Sequence, residues 1–169
     1  MTIEKIDPKI KVNLFSTNTE TVITAINDVK QRGNKLYLPI FFDLLNSNPE
    51  KEIETEIKKL LATVKDKLAV TSFISAIKDK KYEPILKLIL VACWQNGLDF
   101  SSHLHVLVDL VIHKNWEIAF EAFTIIDNLE VLPEKEIIDK TRTTISTALK
   151  TSNEQKTYFL QEIHDKITQ

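Results

Sequence analysis

Glycine is almost missing from this chain: there are two in 169 residues, Gly33 and Gly97. Each follows a helical stretch, "AINDVKQRG" and "LILVACWQNG", where a residue in the left-handed conformation closes the helix. With both used that way, none remains to cradle a phosphate or shape a dinucleotide-binding turn, which counts against the common nucleotide-dependent enzymes. Cysteine is scarcer still. The single Cys93 allows no internal disulfide and fits a reducing compartment. Arginine occurs twice, at Arg32 and Arg142, and the formal net charge is -2, so the broad basic excess of a general nucleic-acid binder is lacking. The longest apolar run, "LILVACW", is far short of the ~20 residues a membrane span needs. The opening "MTIEKIDPKIKVNLF" carries charge through any apolar core that a signal peptide would require. The expectation is a soluble, cytoplasmic protein with no membrane attachment.

What is present is helix. Hydrophobic residues make up 43% and charged residues 27% of the chain, an ordinary balance for one globular unit over 1–169. Apolar residues recur at helical spacing almost throughout, and no alternating strand pattern competes. The periodicity predicts nine helices, near 18–32, 36–46, 49–64, 68–79, 83–96, 101–114, 115–129, 133–150 and 153–167. The first fifteen residues are ambiguous. In "STNTE", Thr17 and Glu20 have capping-box spacing. In "NPEKE", Asn48 is the expected cap, with Pro49 next and acids in the first turn. Pro39, Pro84 and Pro133 also fall near helix beginnings, where a missing N–H is harmless. Short linkers make consecutive helices antiparallel neighbours.

The helices repeat. "LPIFFDLL", "VTSFISAI" and "LHVLVDLV" superimpose at offsets of 32 and then 34 residues. The offsets align Phe41, Phe73 and Leu107; then Leu44, Ala76 and Leu110; then Leu45, Ile77 and Val111. The following helices continue the match, placing Ile53 and Ile57 on Ile85 and Ile89, then on Ala119 and Phe123. Self-similar helix pairs at this period are the mark of an α-solenoid. "YLPIFFDLLNSNPEKEIETEIKKLLATVKD" and "VTSFISAIKDKKYEPILKLILVACW" resemble HEAT or armadillo-type repeats, over about residues 36–129. The resemblance implies about four stacked antiparallel helix pairs: an N-terminal segment 1–17, a repeat core 18–132 and capping helices 133–169. A closed helical bundle is the alternative.

Candidate chemistry is sparse. "HLHVLVDLVIH" holds three of the four histidines. His105, Asp109 and His113 are spaced by four, opposite the core stripe of Leu104, Leu107, Val108 and Val111, and His103 points elsewhere. Two imidazoles and a carboxylate are zinc-ligand types, but two helical turns rise about 12 Å, too far for one ion to touch all three. A solvated ridge is the simpler reading. Cys93 sits in an apolar helix, where a thiol behaves as a small hydrophobe. Glu117 and Glu121, four apart, read as a solvated pair. No catalytic residue, metal site or cofactor is therefore expected.

A binding surface is the stronger expectation. Second helices of stacked pairs line an extended face. The polar positions there are Lys51, Thr55 and Lys59; then Lys87 and Trp94; then Glu117, Glu121, Thr124 and Asn128. Trp94 is a candidate anchor, or packs near Leu98 or Phe100; Trp116 and Phe120 flank the stripe and are expected in the core between repeats. Residues 97–130 hold one lysine against six acids, whereas 48–81 hold eight lysines against six. A protein or peptide partner with a basic segment would be steered to the later repeats. The reading is a non-enzymatic protein-interaction scaffold. Two rivals stay open: a DNA-binding solenoid, since some alkylpurine DNA glycosylases are similar to HEAT solenoids, and a metal-dependent protein using His105 or His113.

Overall fold

The computed structural model describes residues 5–33 and 35–168; residues 1–4 of the N-terminal segment, residue 34 and residue 169 lie outside it. The described residues form an all-α fold of ten α-helices with no strand. The chain divides into two compact units, Met1–Asn96 and Gly97–Gln169. The first holds α1 (Pro8–Leu14), α2 (Thr19–Arg32), α3 (Leu38–Asn46), α4 (Lys51–Ala62), α5 (Val70–Lys78) and α6 (Leu86–Asn96). The second holds α7 (Leu104–His113), α8 (Trp116–Asp127), α9 (Lys135–Ala148) and α10 (Glu154–Lys166).

In the first unit, α2, α4 and α6 lie side by side as one layer, and α3 and α5 form a second layer against α4 and α6. In the second unit, α7 packs on both α8 and α9, and α8 packs on α10. The aligned positions of α3, α5 and α7 are buried alike. Phe41, Phe73 and Leu107 are wholly buried, and Leu44, Ala76, Leu110, Leu45, Ile77 and Val111 are buried with them. A fully buried side chain of this size stabilises the fold by about 2–3 kcal/mol. The register has a second mark that hydrophobicity does not carry. Short 3-10 turns, Lys35–Tyr37, Lys67–Ala69 and Ser101–His103, open α3, α5 and α7 at those same offsets. Asp66 and Asp99 anchor two of them by accepting the N–H of Leu68 and of Ser101, each at 2.9 Å.

The glycines close helices as expected: Gly33 (φ 62°) and Gly97 (φ 66°) are left-handed. Several boundaries differ from expectation. The ambiguous N-terminus contains α1, capped by Asp7, whose carboxylate accepts from Lys9 and Ile10. Asn18, not Thr17, caps α2, accepting the Thr21 N–H at 2.9 Å; asparagine is the stronger cap and sits one residue nearer. Asn48 is not the cap of α4. It takes the left-handed conformation (φ 56°) that asparagine tolerates, so the helix starts at Lys51, and the Glu50 carboxylate instead accepts the Thr19 hydroxyl at 2.8 Å. Pro84 lies inside a 3-10 stretch, Lys80–Ile85, which delays α6 to Leu86.

That 3-10 stretch is tied to α3 by one carboxylate. Asp43 Oδ1 accepts the Tyr82 hydroxyl at 2.6 Å and the Lys81 ammonium at 2.5 Å. Partial burial pushes the Asp43 carboxyl up, but the hydrogen bonds from Lys81 and Tyr82 and the lysine charge outweigh it and hold the group below its ordinary value. A carboxyl lowered on folding contributes stability above its unfolded pKa, and that contribution fades as pH falls through the folded value. Asp43→Asn is expected to cost about 1 kcal/mol at neutral pH, discounted for the half-exposed lysine partner. In urea titrations the gap between variant and parent should narrow on acidification; a constant gap would exclude the charged clamp.

Candidate functional site

On the second helices of the first unit, Lys51, Thr55 and Lys59 are exposed on α4 and Lys87 is exposed at the start of α6. The Thr55 hydroxyl donates to the Lys51 carbonyl at 2.7 Å, and the Lys59 ammonium to Glu56 Oε1 at 2.7 Å. A groove of about 310 Å³ runs between α4 and α6, lined by Thr55, Lys59, Leu88, Val91, Ala92 and Gln95 among others. Two of the expected residues, Thr55 and Lys59, therefore share one apolar-floored groove. Lys51, Lys87 and Trp94 do not line it, and Trp94 is half-buried.

On α8 the expected stripe needs correction. Glu117 and Asn128 are exposed and Thr124 is half-buried, its hydroxyl donating to the Phe120 carbonyl at 2.8 Å. The Asn128 amide donates to the Thr124 carbonyl at 2.8 Å. Glu121, however, is only 8% exposed, while Trp116 and Phe120, expected in the core, are 47% and 41% exposed. Both differences have one cause. Ala119, Ala122, Ile125 and Ile126 form the buried line, so the ridge opposite runs through Trp116 and Phe120. The helix is turned by about one residue, roughly 100° at 3.6 residues per turn, from its expected orientation. Phe123, aligned with Ile57 and Ile89 in the repeat, is half-buried accordingly.

The rotation builds an aromatic face with α10. Trp116 and Phe120 stack with centroids 5.4 Å apart and planes 18° from parallel. Phe123 stacks on Phe159 at 4.9 Å, Phe120 lies 6.2 Å from Phe159, and Tyr158 lies 6.0 Å from Phe159. Phe159 is buried and anchors the group, whereas Tyr158 is 57% exposed. Asn153 caps α10 by accepting the Lys156 N–H at 3.0 Å. Both lysines of the helix reach backbone carbonyls, Lys156 that of Ile112 at 2.7 Å and Lys166 that of Asp127 at 2.6 Å. Exposed carboxylates remain around the rings: Glu117 and Asp127 on α8, Glu154 and Glu162 on α10. The sequence reading missed Tyr158, although Glu154 and Glu162 stand four residues to either side of it on one helical ridge.

The histidine ridge lies apart from this face, on α7. His105, Asp109 and His113 are exposed, with His113 Nε2 3.5 Å from Asp109 Oδ1, and the His103 ring is 6.4 Å from that of His105. Among the described residues no group of three or more His, Cys, Asp or Glu side chains is placed to hold a metal ion. Cys93 is buried on α6, and burial pushes its thiol well above the ordinary value. A neutral, enclosed thiol is not a nucleophile. Ellman's reagent should therefore react with Cys93 only as fast as the fold opens, accelerating through the urea transition; rapid labelling of native protein would contradict the enclosed site.

No helix among the described residues is long and apolar enough to cross a membrane. No protein-family model matches the chain, and no curated protein is significantly similar to it.

Proposed function

We propose that the chain is a HEAT-like helical-repeat module that holds another protein and carries out no catalysis. The repeat offsets, the 3-10 turns that open α3, α5 and α7, and the side-by-side second helices within each unit support this reading. The observation that carries it is the aromatic face of α8 and α10. Large rings left open to water are a cost that binding offsets, and aromatic residues are enriched where proteins meet. The groove between α4 and α6 offers a second such surface in the first unit.

A photo-cross-linking residue at position 120 or 59 is expected to trap protein adducts in cells, and one at Ser75, exposed on α5, to trap far fewer. Equal trapping at Ser75, or turnover of a small molecule with no adduct at any position, would overturn the reading.

A further inference from the structure

We propose that the aromatic face of α8 and α10 is a cradle for a positively charged segment of the bound protein, with arginine or lysine side chains lying on the rings of Trp116, Phe120 and Tyr158. The proposal rests on the reading of the chain as a protein-binding module and specifies what that partner presents. Single exposed apolar residues are ordinary on protein surfaces. Here the rings are joined: Trp116 stacks on Phe120, Phe120 touches Phe159, and Tyr158 lies against the same Phe159. The exposed members of this cluster, joined through buried Phe159 and half-buried Phe123, fit two sorts of partner, an apolar one or a cationic one.

The charges around it separate the two. Glu154 and Glu162 stand on either side of Tyr158 along α10, and Glu117 and Asp127 are exposed on α8. Among the described residues no ion pair engages Glu154, Glu162 or Asp127, and the two lysines of α10 donate to the carbonyls of Ile112 and Asp127 instead. The whole second unit carries twelve carboxylates against seven lysines and arginines. An anionic partner, whether nucleic acid or an acidic lipid surface, would be repelled. A second copy seated face to face would set carboxylate against carboxylate. An arginine or lysine side chain satisfies both features at once, its cation over a ring face and its charge beside a carboxylate.

The test is fluorescence anisotropy of the full chain with a labelled arginine–serine repeat peptide at low salt, beside the same peptide with citrulline or with glutamate replacing arginine. The arginine peptide should bind, weaken as salt rises, and lose most of its affinity on either replacement. Phe120→Ala with Tyr158→Ala should weaken it about tenfold, since two exposed cation–ring contacts together account for about that factor. Glu154→Lys with Glu162→Lys, two surface changes that leave the rings in place, should abolish binding. Citrulline binding as tight as arginine, or affinity unchanged in both double variants, would overturn the cradle. So would tight binding to neutral phosphatidylcholine vesicles, or self-association of the parent chain that Phe120→Ala abolishes. Protein adducts trapped at position 120 by a chain that ignores the arginine peptide would remove the cradle alone and leave the module standing.

Discussion

None of these helices is long enough to stand alone in water. They run from 7 residues in α1 to 14 in α2 and α9, at or below the length where an isolated helix is marginal. Each persists because one stripe of its side chains is shared with neighbours. Phe41, Phe73 and Leu107 are wholly buried members of that stripe at one aligned position. The rest of the organisation follows from this constraint. Helices that must be covered on one side by their neighbours settle into layers, and each layer leaves an outer face with no part in the core. In α8 and α10 that spare face carries rings and carboxylates, and in α4 and α6 it carries lysines and an apolar groove.

The layers were legible in the sequence because burial there follows spacing. The offsets of 32 and 34 residues, read from apolar residues alone, reappear in aligned buried positions and in the 3-10 turns. Caps were harder. Asn48 is a strong cap by residue type, yet asparagine also tolerates the left-handed region, and the turn after α3 claims it first. Helix orientation was harder still. In "WEIAFEAFTIID" nearly every position is apolar, so the pattern admits more than one buried line; Ala119 and Ala122 are small enough to decide it by allowing close approach, and Glu121 is drawn inward as a result. Tyr158 escaped notice because its ring gains meaning only beside Phe123 and Phe159, and that proximity is a tertiary fact.

Charge and shape then meet in the second unit. The lysines best placed to neutralise α10 are engaged with the carbonyls of Ile112 and Asp127, which satisfies helix ends that would otherwise lack partners. Neither lysine forms an ion pair with Glu154 or Glu162, which are exposed on the same helix. Helix-end chemistry and the acids exposed beside the rings are in this way parts of one arrangement.

The central claim is that the outer rings of this face are spare, held in place without holding the fold together. Chemical denaturation of the chain tests it most directly, comparing Trp116→Ser with Tyr158→Ser against Phe159→Ala alone. The two exposed rings together should cost about 1–2 kcal/mol, while the buried anchor costs about 3–5 kcal/mol. Should the exposed pair prove as costly as Phe159, these rings would be part of the core, and the face would have no surface to spare for a partner.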